Sequence, residues 1–169
     1  MEQGDRRMMR SRALALLLGA TLALTGCTSD KDKAGEPMDS TLTIDQAVDH
    51  YNAFSDAVID RLGAEFGTRP WETAADSGGR AYCGEGDSGL EAVLPRRRFE
   101  GTYPIEQRDA VRDLVIAVGK ENGFRDPELV VERPDYLKIV AEDEVGARYT
   151  FAMSVNTILS TSTGCHAAG

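Results

Sequence analysis

The chain is short of the residues that carry most enzymatic and metal chemistry: its 169 residues include two histidines, three cysteines and one tryptophan. A nucleophilic triad needs a Ser or Cys, a His base and an orienting acid that converge in space. His50 falls on the flank of an expected helix and His166 in the terminal tail, so no such triad is expected. There is no C-x-x-C, and a structural zinc site takes four Cys or His ligands, which leaves His166 beside Cys165 without enough partners. No Gly-rich loop joins a strand to a helix in the way that cradles phosphate. Acids are so plentiful that no pair of carboxylates stands out. The sequence therefore assigns no catalytic residue, no metal ligand and no cofactor, and the expected answer to whether this is an enzyme is no. It also has no apolar run long enough to span a bilayer. The longest, residues 13–24, would rise roughly 18 Å as a helix, against a hydrocarbon core of roughly 30 Å.

What that short run does fit is export. Arg6, Arg7, Arg10 and Arg12 precede it, and positive-then-apolar is the profile of a signal peptide. It ends in Leu24, Thr25, Gly26 and Cys27, which matches a bacterial lipobox. Small side chains admit the peptidase, and only a thiol can take the thioether-linked diacylglycerol. Residues 1–26 are read as a lipoprotein signal peptide and Cys27 as the lipidated residue. The Arg6-Arg7 pair raises twin-arginine export, but Met8, Met9 and Arg10 fit that pattern poorly, so Sec export is the default.

Without residues 1–26 the chain keeps 15 basic and 26 acidic residues, a formal charge of −11. Nucleic acid is bound through cationic patches, so an acidic chain argues against it. The same charge is repelled by anionic headgroups, which leaves membrane attachment to the acyl chains on Cys27. The expected location is the outer face of the cytoplasmic membrane. Residues 27–42 are small, charged and almost without large apolar groups, a composition that cannot bury enough surface to fold, and are read as a tether. Residues 43–169 suffice for one domain with a single core.

That domain opens with a helix over residues 44–66. Thr43 and Gln46 fit a capping box, Gly67 a stop, and Ile44, Val48, Tyr51, Ser55, Val58, Leu62 and Phe66 form an apolar stripe. A second helix is expected over 104–122, capped by Thr102, with Val111, Leu114, Val115 and Val118 on one face. Asn122, Gly123 and Phe124 fit a Schellman ending. Strands are expected around 80–83, 129–133, 136–142 and 147–155, with 158–163 a further strand or a continuation past a bulge near Asn156. The fold class is α+β: an antiparallel sheet of four to six strands with two helices packed on one face.

Three features invite functional readings. Trp71, after Arg69-Pro70, is read as a plug at the end of the core, with the wall of a binding groove as the alternative. Arg96, Arg97 and Arg98 are read as a solvated loop or charged edge strand, with an anion-binding patch as the alternative. Cys83 and Cys165 would meet an oxidising compartment after export, where such a pair tends to form a disulfide.

The order of lipobox, polar tether, a helix ending near R-P-W, A-Y-C at Cys83, a helix ending N-G-F and a β-rich segment ending T-G-C at Cys165 resembles the LppA-like lipoproteins of high-GC Gram-positive bacteria. The resemblance implies a lipid-anchored α+β domain with Cys83 and Cys165 paired, and it carries over no catalytic residue. The functional expectation is a non-enzymatic binding or accessory domain of the cell envelope whose partner is an exported protein or a small ligand. An envelope hydrolase acting on cell-wall material is the alternative.

Overall fold

The computed structural model describes residues 41–84 and 88–169. The expected signal peptide, Cys27 and the expected tether up to residue 40 lie outside the described residues. Helix α1 spans Ile44–Phe66, and its start is fixed as the sequence anticipates: the Thr43 hydroxyl accepts from the Gln46 N–H while the Gln46 side chain accepts from the Thr43 N–H. Ile44, Ala47, Tyr51, Phe54, Ser55, Val58 and Leu62 are buried along one face. A 23-residue helix satisfies its interior backbone internally, so what holds it here is that stripe against a core.

The second helix departs from expectation at its start. Ile105–Gln107 form a single 3-10 turn, α2 runs Arg108–Glu121, and Gln107 caps it without a side-chain bond. Thr102 is not the cap; its hydroxyl donates to the Tyr103 carbonyl. The ending is the expected Schellman motif, with Phe124 N–H bonded to the Gly119 carbonyl, Gly123 N–H to the Lys120 carbonyl, and Gly123 at φ +86°.

The strands are β1 Glu72–Ala74, β2 Gly79–Cys83, β3 Gly89–Val93, β4 Arg96–Glu100, β5 Leu129–Arg133, β6 Tyr136–Glu142, β7 Arg148–Met153, β8 Asn156–Ser162 and β9 His166–Ala167. Among the described residues they form one nine-stranded antiparallel sheet with the main order β1-β4-β8-β7-β6-β5. The expected four to six strands are thus too few, for a physical reason: β1 and β9 are too short to show alternation, and Pro95 divides one long path into β3 and β4. Both halves run beside β8, β4 through Arg97–Glu100 and β3 through Val93, with Leu94 N–H to the Thr161 carbonyl bridging the break. β2 and β9 then extend the sheet from β3. A turn at Ser154 and Val155 separates β7 from β8, so the last segment is a strand of its own.

Alternation sorts the two faces. Leu137, Ile139, Ala141, Tyr149, Phe151, Met153 and Leu159 are buried with the apolar stripes of α1 and α2 in one core, together with Leu94, Phe99, Tyr103 and Phe124. On the opposite face Lys138, Thr150, Ala152, Ile158 and Ser160 are half-buried, and Val140 is buried. The helices cover one face of the sheet, and the other is open.

Candidate functional site

The arginine triplet is neither a loop nor an edge strand: β4 lies between β1 and β8. Because successive strand residues point to opposite faces, the triplet is split. Arg97 turns to the helix side, where it donates to Asp56 on α1 at 3.0 Å and to the Thr73 hydroxyl at 2.7 Å. Arg96 and Arg98 turn to the open face, are exposed, and make no ion pair among the described residues. Glu72 sits opposite Arg98 in register without bonding it.

From Arg98 a row crosses the open face through Ile158, Ala152 and Lys138 to Val131. At about 4.8 Å between neighbouring strands, three strand spacings separate the backbones of Arg98 and Lys138. Lys138 also lacks an ion pair among the described residues. The row is therefore a short apolar centre with a cation at each side. Beside it run Ser160 and Thr150, and beyond them Arg148 is neutralised by Glu128 and Glu142.

The interior holds a polar cluster of a different kind. Asp143, fully buried, accepts from the Tyr51 hydroxyl at 2.5 Å and from the N–H groups of Val145 and Ala147 at 2.9 Å each. Burial, then the Asp143 bond and charge, push the Tyr51 phenol upward. Ser55 joins the Thr161 hydroxyl and the Tyr51 carbonyl. His50 lies edge-on to Tyr51 at 5.0 Å, at the boundary the sequence places it on. Its Nε2 is closed off without a hydrogen bond; burial lowers its pKa, which Asp143 partly offsets. His166 is not in a tail: it is buried in β9, with Nε2 against the Thr163 carbonyl at 2.7 Å.

Cys83 and Cys165 are joined, with Cα atoms 5.9 Å apart, and tie β2 to the segment leading into β9. Gly89 lies against the bridge so closely that an added Cβ would meet the Cys165 sulfur at 2.7 Å.

Past the C-terminal end of α1, Trp71 packs edge-on against Phe99 at 4.8 Å, and the Arg69 guanidinium lies 5.2 Å from the Tyr103 ring centroid. Trp71 is thus a plug on one side. It also lines a cleft of about 230 Å³ with Asp60, Gly63, Thr68 and Arg69. Burial raises the Tyr103 phenol, opposed by Arg69 and Trp71. Two shallow grooves flank the Gly78–Gly79 stretch, one bordered by Asp76 and Glu91, the other by Val48 and Pro95.

Of the residues singled out from sequence, the structure joins the two cysteines, separates Arg97 from Arg96 and Arg98, and does not bring the two histidines together as a site. Cys27 lies outside the described residues. Asp143, Lys138 and Arg69 went unnoticed. Asp143 carried one signal, an acid opening a D-E-V-G turn, where Asx side chains bond backbone N–H groups. The other two depend on strand register and on a loop's path, which no local pattern reports.

No curated protein matches the chain. Two solved structures share its fold. One, of LppA from Mycobacterium tuberculosis, aligns with a TM-score of 0.63 at 12% identity, covering 75% of this chain and 79% of that one. The other, a DUF4853 family protein from Actinomyces odontolyticus, aligns with a TM-score of 0.51 at 17% identity, covering 80% and 75%. The family model described as LppA, a lipoprotein confined to pathogenic Mycobacterium, matches residues 25–168. That span takes in the cysteine at 27 and nearly all that follows, and the chain belongs to the LppA lipoprotein family.

Proposed function

We propose that this protein is a non-enzymatic binding domain of the cell envelope, held at the outer face of the cytoplasmic membrane by lipid on Cys27, that presents its open sheet face to another exported protein. The observation that carries the reading is the row from Arg98 to Lys138. An apolar centre flanked by long cations and rimmed by Ser and Thr has the make-up of a protein interface, in which arginine is enriched and charge is kept from the middle. In a chain of net charge −9, cations without an ion-pair partner among the described residues on one face are complementary to an acidic surface.

The buried polar groups support a structural rather than a catalytic role for the interior. Asp143 is engaged by three donors, and the His166 Nε2 by a backbone carbonyl.

The experiment is affinity capture from native envelopes with the full chain as bait, comparing the wild type with the Arg96→Glu/Arg98→Glu double variant. A stoichiometric acidic partner that the double variant loses is expected. Equal recovery by both baits contradicts the reading. Cys27→Ser checks the anchor, since the protein should leave the membrane fraction.

A further inference from the structure

We infer that the cleft between the C-terminal turns of α1 and Trp71 is a binding site for a small zwitterion of the amino-acid type, its carboxylate on Arg69 and its ammonium on Asp60. This site lies apart from the open sheet face and does not rest on the function proposed above.

Four observations converge on it. First, Arg69 is positioned but not neutralised. Its guanidinium is held over the Tyr103 ring, a contact that fixes the plane of the group. Yet Arg69 makes no ion pair or side-chain hydrogen bond among the described residues, and its Nε is shut off from solvent without a partner. The terminal N–H groups, bonded to nothing among the described residues, are what a carboxylate in the cleft would pair with, while the buried Nε is out of a ligand's reach.

Second, Asp60 lines the same cleft and likewise has no cationic partner among the described residues. Its neighbour in sequence, Arg61, is turned away to Glu121 at 2.6 Å. An unpaired cation and an unpaired anion lining one cleft, with the Thr68 hydroxyl beside them, suit a ligand carrying both charges.

Third, Gly63 breaks a local rule. Glycine inside a helix is less favourable than alanine. Here a Cβ would meet nothing nearer than the Thr68 Cα at 3.9 Å, an ordinary contact. Packing within the fold does not require glycine at that position, and Gly63 lines the cleft. Departures from local consistency of this sort gather at functional sites.

Fourth, the size discriminates between ligands. A cleft of about 230 Å³ falls below the usual range of roughly 300–1,000 Å³ for drug-sized ligands. It suits a compact molecule whose side chain lies beside Trp71.

Trp71 is the single tryptophan of the chain, so its emission reports directly on occupancy. Full-length protein in detergent is titrated with alanine, serine and valine, and with alaninamide and N-acetylalanine, which each lack one of the two charges. At least one free amino acid is expected to give a saturable change below about 10 mM, the range of millimolar affinity. Both blocked forms should bind at least about tenfold more weakly, as should Arg69→Gln and Asp60→Asn, since a charge-assisted bond contributes about 1.5–3 kcal/mol. Gly63→Leu should abolish the response while the far-ultraviolet circular dichroism is kept. Asp60→Asn alters an exposed, unpaired side chain and keeps the test informative if Gly63→Leu does not fold. The inference is overturned if no free amino acid gives a saturable response, if the blocked forms bind equally well, or if Asp60→Asn and Arg69→Gln leave binding unchanged.

Discussion

The Tyr51 hydroxyl donates to the Asp143 carboxylate at 2.5 Å, joining the middle of α1 to the β6–β7 turn across 92 residues of sequence. The same carboxylate receives the Val145 and Ala147 N–H groups, so one side chain closes a turn and anchors a helix to it. The two substitutions should therefore differ in cost. Tyr51→Phe removes one of three donors and should lower the unfolding free energy by about 1.5–3 kcal/mol. Asp143→Ala strands three donors at once, two of them buried, and should cost about 3–5 kcal/mol. Urea denaturation of the two single variants and the double variant should give a combined loss smaller than the sum; strict additivity would mean that the bond contributes nothing of its own.

A second expectation concerns pH. Burial lowers the His50 pKa below its ordinary 6.5, so the unfolded chain takes up a proton at this site before the folded one does. Stability should then fall as pH drops from 6.5 toward the lowered folded value, because the unfolded state binds more protons across that window. His50→Gln should make the slope below pH 6.5 shallower. An unchanged slope would show that His50 titrates alike in both states.

Which parts of this fold can be read from the sequence follows from the range of the interactions involved. Helix α1 is bounded by Thr43, Gln46 and Gly67, and α2 ends through Gly123 and Phe124; all act within a few residues and are visible locally. β7 shows clean alternation for the same reason. β3 and β4 do not, because Pro95 divides them and three successive arginines conceal that Arg97 faces inward. Its Asp56 partner lies on α1, 41 residues away. β9 is two residues long and is defined by pairing with Gly89 and Leu90 and by a bridge from Ala167 to Thr43. The candidate surface shows the same limit: the arginines were conspicuous in the sequence, while Lys138 joins Arg98 only through a register set by three pairs of strands.

The bridge between Cys83 and Cys165 closes a sequence separation of 82 residues. In the chain-entropy model such a link stabilises by about 4–5 kcal/mol. Gly89→Ala should disturb it selectively, since the new methyl group would meet the Cys165 sulfur at 2.7 Å and the His166 carbonyl at 2.9 Å. The variant should lose about 1–3 kcal/mol and show more free thiol by mass spectrometry after alkylation. Wild-type stability and full oxidation in Gly89→Ala would mean that the strands part more easily than their packing implies.

Arg97 and its two neighbours should separate cleanly in their effects. Arg97→Ala removes the Asp56 and Thr73 bonds and should cost about 0.5–1.5 kcal/mol of stability. Arg96→Ala and Arg98→Ala, exposed and unpaired, should stay within about 0.5 kcal/mol of the wild type. Thermal unfolding of the three variants distinguishes them, and equal losses at all three would contradict the division of the triplet between two faces.

The most direct test of the open sheet face as the contact surface is site-specific photo-crosslinking in the native envelope. A photoreactive residue at Ser160, in the row beside Ile158, is compared with one at Ala53, an exposed position on α1. The account predicts a discrete crosslinked protein from Ser160 and none from Ala53, with the adduct lost in the Arg96→Glu/Arg98→Glu background. Crosslinking from Ala53 alone, or from neither position, would contradict it.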